Sequence, residues 1–152
     1  MHQDLIRQLD EAVAEVFAVM LNLACTSAPA ERAPQPTPTQ NFIACVLFSG
    51  PLEGCCCIQM EERTATELTS NMTGLAPCEI SPGLCADTAG ELCNMIAGCW
   101  KKRHPKDLAA SLLSCPIVKI GSCGHAMDIF REDVTVLYRF DNHHVTLRLA
   151  VK

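Results

Sequence analysis

The sequence lacks a basic stripe. Its 12 Lys and Arg stand against 17 Asp and Glu, a formal net charge of −5, with a pI near 5.5. Nucleic-acid binding draws much of its affinity from cations that displace counterions from phosphates, so no nucleic-acid partner is expected. Nor does any apolar run reach membrane-spanning length without interruption. The opening Met1-His2-Gln3-Asp4 has neither the positive flank nor the apolar centre of a secretory signal. A cytoplasmic protein without membrane contact is therefore expected. Several catalytic signatures are also missing: there is no G-x-S-x-G elbow, no P-loop and no H-E-x-x-H pair.

What the chain does have is length, apolar content and cysteine. Its 152 residues are 49% apolar and 19% charged, with a mean hydropathy of +0.16, the composition of an ordinary globular protein. One domain over residues 1–152 is expected, able to bury roughly two-thirds of its unfolded surface. Of the 11 cysteines, no two stand in C-x-x-C spacing and none has a histidine at zinc-finger distance. Neither a metal site nor a disulfide framework is indicated. The thiols read instead as small buried hydrophobes of a reducing compartment. Along Cys55-Cys56-Cys57, strand alternation turns at least one thiol away from its neighbours.

Periodicity organises the chain. Residues 4–23 place Leu5, Leu9, Val13, Val16, Met20 and Leu23 on one face, an amphipathic helix. Residues 26–40 contain four prolines and read as an extended internal connection, not a domain boundary. Residues 41–49 and 54–60 form a β-hairpin about the turn 50–53, and a helix over 61–73 ends at Gly74. Ser81-Pro82 is a strong start signal for a third helix running to about residue 102. Strands follow at 115–121, 134–140 and 143–151, with 125–130 a weaker candidate and Asp141-Asn142 a tight turn. This order predicts an α+β, two-layer fold with three helices packed on a largely antiparallel sheet. His143 and His144 alternate in direction after that turn, so a surface hairpin is favoured there over a metal site.

The third helix carries the candidate chemistry. At about 100° per residue, Glu91 lies near 40°, Asn94 near −20° and Gly98 near 20° from Asp87, while Leu92, Cys93, Ile96 and Trp100 fall on the opposite side. The four residues Asp87, Glu91, Asn94 and Gly98 thus make one narrow outward ridge, with Gly98 leaving room for an approaching surface. Carboxylates and an amide on a helix are usually only solvated, so this spacing carries no function by itself.

The wider pattern adds to it. The run from Asp87 through Glu91-Leu92-Cys93-Asn94-Met95-Ile96-Ala97-Gly98, followed by Ser114-Cys115-Pro116-Ile117-Val118-Lys119-Ile120-Gly121, resembles the signature of the CheX branch of the CheC/CheX/FliY chemotaxis phosphatases. Asp87, Glu91, Asn94 and Pro116 match the acidic residue, Glu, Asn and later Pro of that pattern. The proline-rich connection, the cysteine load and Cys99, where a polar residue is more usual, depart from it. The resemblance implies a phosphatase acting on the aspartyl phosphate of a CheY-like response regulator. It implies catalytic roles for Asn94, which would orient the attacking water, and for Glu91, which would pair with the regulator's lysine. Asp87 and Gly98 would bind the partner. It further implies no cofactor of the chain's own, Mg²⁺ brought by the regulator, and a homodimer. The alternative is a non-catalytic module that binds a response regulator or a flagellar motor-switch protein. A thiol or metal protein is the third and least favoured reading.

Overall fold

Hydrophobic spacing and two helix stops set the helical layer of the computed structural model, which describes residues 2–29, 41–103, 110–121 and 132–151. The first helix, α1 (His2–Val16), buries Leu5, Leu9, Val13 and Val16. It then widens into a π-helical turn, Phe17–Leu21, closed by Asn22 in the left-handed region at φ 53°. The extra residue per turn rotates the apolar face. Phe17 and Leu21 point inward, whereas Met20 is 43% exposed, contrary to its expected place on the buried stripe, and Val19 is 74% exposed. Helix α2 (Glu62–Thr73) stops at Gly74, whose φ of 75° suits a residue without Cβ. Helix α3 (Pro82–Lys101) begins at Ser81, whose Oγ accepts the Leu84 N–H at 3.2 Å.

Among the described residues seven strands complete the fold: β1 (Thr26–Pro29), β2 (Asn41–Ser49), β3 (Gly54–Glu61), β4 (Leu112–Leu113), β5 (Ile117–Gly121), β6 (Glu132–Phe140) and β7 (His143–Val151). They form one sheet in the order β1-β6-β7-β3-β2-β4, with β5 also on β2. Every pairing among the described residues is antiparallel. The α+β architecture expected from the element order is the one found. Alternation sends Phe42, Ala44, Val46 and Phe48, then Cys56, Ile58 and Met60, into the core shared with the helices. Leu9, Val13, Phe17, Leu92, Ile96 and Trp100 meet them from the helical layer. Trp100 packs on Phe48 at 5.3 Å between ring centroids.

Three further expectations need correction. Residues 26–29 of the proline-rich connection are strand, paired with β6, and Pro29 is tolerated because it ends an edge strand. The expected strand at 115–121 begins only at Ile117, after Pro116, and a short strand not expected, Leu112–Leu113, precedes it; both pair with β2. Finally, the cysteines are not all thiols, since Cys45 and Cys57 form a disulfide across the β2–β3 hairpin. They are direct register partners, which the turn at 50–53 already determines. The candidate strand at 125–130 and residues 30–40 lie outside the described residues.

Candidate functional site

Helix α3 is fastened on three sides. Its inner face, with Cys85, Ala89, Leu92, Cys93, Ile96, Ala97 and Trp100, is buried. Beneath it the Cys93 thiol donates to the carbonyls of Ala44 and Cys56, at 3.4 and 3.2 Å, tying the helix to the β2–β3 hairpin. Toward α2, buried Thr69 Oγ1 bonds Thr88 Oγ1 at 2.9 Å. At the C-terminal end Arg103 donates to Glu15 Oε2 at 2.7 Å, to Glu11 Oε2 at 3.4 Å and to the Cys99 carbonyl at 3.0 Å. The Cys99 thiol and the Arg103 guanidinium hold the Glu15 carboxyl below the ordinary carboxylate range, while burial and then Glu15 push the thiol up. A helix restrained in this way has little freedom to roll.

Asp87 and Glu91 are exposed on the free face of α3, and Asn94 and Gly98 are half-buried beside them. The structure therefore brings all four sequence-derived residues onto one stripe of one element. Beside Glu91, Gly90 faces the sheet edge, where Pro116 and Val118 press against it. The segment carrying Pro116 is held by Ser114, whose Oγ accepts the Leu47 N–H and whose N–H donates to the Leu47 carbonyl, both at 2.9 Å. Past Gly98 the ridge opens into a cavity of about 510 Å³ between α1 and α3, lined by Val19, Met20, Met95, Gly98 and Cys99 among others. Sequence reasoning missed Gly90 and this cavity. Gly90 follows from a close approach of elements far apart in sequence, and the cavity depends on the π-turn.

Chemically, the ridge offers a carboxylate that can pair with a cation and an amide that donates and accepts at once. Asp87 and Glu91 supply two carboxylates, and among the described residues no group of three or more His, Cys, Asp or Glu could hold a metal ion. No helix among the described residues is long and apolar enough to cross a membrane.

A helical layer on an antiparallel sheet, presenting carboxylate and amide from the free face of one fastened helix, defines an α+β domain with a polar helical ridge. Solved structures share this fold. The chemotaxis protein CheX from Vibrio vulnificus superposes with a TM-score of 0.77 at 15% identity, covering 100% of this chain and 99% of that one. CheX from Desulfovibrio desulfuricans gives 0.73 at 15%, covering 98% and 99%. CheX in a complex with CheY, BeF₃ and Mg²⁺ from Borrelia burgdorferi gives 0.70 at 17%, covering 97% of each chain. No curated protein matches the chain. Residues 42–124, more than half of the 152, match the family model of the chemotaxis phosphatase CheX. The chain belongs to that family.

Proposed function

We propose that this protein hydrolyses the aspartyl phosphate of a CheY-like response regulator, with residues 1–152 acting as one domain in the cytoplasm. The observation that carries the reading is the shared outward stripe of Glu91 and Asn94 on a helix whose opposite face is buried. The regulator docks along α3 against Asp87 and Gly98. Asn94 reaches the phosphoryl group and orients the attacking water, and Glu91 pairs with the regulator's lysine. Membership of a phosphatase family and the Borrelia CheX–CheY complex support this choice of partner.

The division of labour suits the reaction. Phosphoryl transfer passes through a loose transition state that needs positioning and charge stabilisation more than a protein nucleophile. An amide holds a water in line without first changing its protonation state. Acceleration of a hundred- to ten-thousandfold requires about 3–5 kcal/mol. One ordered water and one charged contact, the latter worth roughly 1.5–3 kcal/mol, are of that size. This chain supplies the amide and the carboxylate, and the regulator supplies Mg²⁺, which neutralises charge on the phosphoryl oxygens.

The test follows decay of purified phospho-regulators from the same host with catalytic amounts of this protein. Decay of one regulator accelerates, and Asn94→Ala removes the acceleration while circular dichroism and thermal midpoint stay unchanged. Decay unaltered for every CheY-like regulator of the host defeats the reading. Binding without turnover, insensitive to loss of Asn94, selects a non-catalytic module instead.

A further inference from the structure

The disulfide between Cys45 and Cys57 lies on the sheet face opposite the helices, clustered with Cys55 and Ala150 and separate from the main core. Their Cα atoms are 4.2 Å apart, the spacing of a close antiparallel pair. Cys45 is half-buried and Cys57 buried, so Cys45 is the more open end of the bridge toward a small thiol or disulfide. Cys55 shares the outer face two positions along the same strand, but the residue opposite it on β2 is Leu47. Cys45 therefore has one cysteine directly facing it across the hairpin.

The other face of the hairpin makes this pair more than a staple. The carbonyls that accept the Cys93 thiol belong to Ala44 and Cys56. One is the carbonyl of the peptide joining Ala44 to Cys45, and the other of the peptide joining Cys56 to Cys57. Disulfide and Cys93 thiol thus grip the same two peptide units from opposite sides of the sheet. Cys93 is the residue before Asn94 and two after Glu91.

We propose that Cys45 and Cys57 are a thiol–disulfide modification site, closed by small disulfides and opened by small thiols, whose state sets how firmly α3 is seated on the β2–β3 hairpin. Closure consumes an oxidant of the glutathione-disulfide class. The Cys45 thiolate attacks one oxidant sulfur, forms a mixed disulfide and expels the first small thiolate. The Cys57 thiolate then attacks the Cys45 sulfur and expels the second. Two thiol protons leave the protein and end on the two released thiols, and the electron pair passes to the oxidant's sulfur–sulfur bond. Two small thiols reverse the sequence through attack at Cys45. In a compartment where glutathione keeps most thiols reduced, such a bridge is a reversible state and not a permanent one. The consequence for hydrolysis rests on the roles given to Asn94 and Glu91 above; the bridge and its grip on α3 do not.

The full chain is equilibrated in mixtures of reduced and oxidised glutathione, alkylated and peptide-mapped, with amide exchange in α3 followed in each mixture. A peptide linking Cys45 to Cys57 is expected under oxidising conditions, and both cysteines alkylated under reducing ones. The bridged form melts about 5–10 °C higher, and amides around residues 92–97 exchange about threefold or more slower. Cys45→Ala, at a half-buried position, abolishes both differences, and Cys55→Ala keeps them. Absence of the bridge in every mixture, pairing of Cys57 with another thiol, or equal α3 exchange in the two forms overturns the proposal. A bridge with slowed α3 exchange but no regulator hydrolysis in either form supports the proposal and counts against the phosphatase reading alone.

Discussion

Gly90 of α3 and Pro116 before β5 lie so near each other that there is no free space between them for a side chain. A methyl group on Gly90 would lie 3.3 Å from Pro116 Cβ and 3.2 Å from Val118 Cγ2. The contact places the sheet edge against the helix at the residue preceding Glu91, so the lateral position of the ridge depends on having no side chain there.

Gly90→Val wedges β5 away from α3 and lowers unfolding free energy by about 1–3 kcal/mol, read from the urea midpoint. Gly90→Ala falls near the parent, because crowding by one methyl is offset by the roughly 0.8–1 kcal/mol helix preference of Ala over Gly. A valine variant as stable as the parent means that the edge yields freely.

The proposed roles of the two ridge residues separate in steady-state kinetics. Asn94→Ala lowers kcat by about a hundredfold or more with little change in KM. Glu91→Gln removes the charged contact to the docked regulator and lowers kcat/KM by about tenfold, equivalent to about 1.4 kcal/mol, with a rise in KM that Asn94→Ala does not show. Equal effects of both changes on kcat alone would place Glu91 in the chemical step.

His143 gives stability a pH dependence. Burial first, and the nearby Arg63 second, hold its imidazole below the usual value, against weaker opposing effects of Glu67 and Asp141. Its Nδ1 meets Thr64 Oγ1 at 3.1 Å, and its ring stacks on Phe140. The unfolded chain binds this proton more readily, so the contribution is present above the unfolded imidazole pKa and is lost as pH falls through the lower folded value. Urea midpoints decline between about pH 7.5 and 5, and His143→Gln flattens that slope. An unchanged slope in the variant assigns the effect elsewhere.

Arg103 fastens α3 to α1 through partly exposed ion pairs, so its contribution is modest. Arg103→Ala costs about 1 kcal/mol at low salt, and the difference from the parent narrows at about 1 M salt, where charges are screened within a few ångströms. A loss independent of salt makes the bond to the Cys99 carbonyl the main contribution.

Strand β5 pairs with β2, and its apolar Ile117 and Ile120 are 61% and 40% exposed. An edge of this kind can continue across a two-fold axis. Light scattering is expected to return a dimer mass for the parent and a monomer mass for Ile117→Lys. A parent monomer overturns the expected homodimer.

The helices and hairpins were legible because their signals are local. Ser81-Pro82 opens α3, Gly74 closes α2, and the Asp141-Asn142 turn joins β6 to β7. The ridge was legible for the same reason, as one helix's periodicity decides which residues share a side. Long-range pairing was not. Thr26 meets Arg139, and no pattern within either segment states that match. The π-turn escaped because a 3.6-residue period was continued past Val16, which put Met20 on the wrong side. The Cys45–Cys57 pair was within reach, since a hairpin turning at 50–53 places those positions opposite each other, but spacing motifs do not capture cross-strand register.

The sheet order has a consequence for biosynthesis. Strand β7 lies between β6 and β3, and β6 is the partner of β1. A nascent chain that has emerged only as far as residue 121 can assemble the helices on β2, β3 and β5, but it leaves β1 unpartnered and one side of β3 bare. Translation must carry Val151 clear of the ribosomal tunnel before the middle of the sheet can close. Until then the aliphatic side chains awaiting β6 and β7 are open to chaperones.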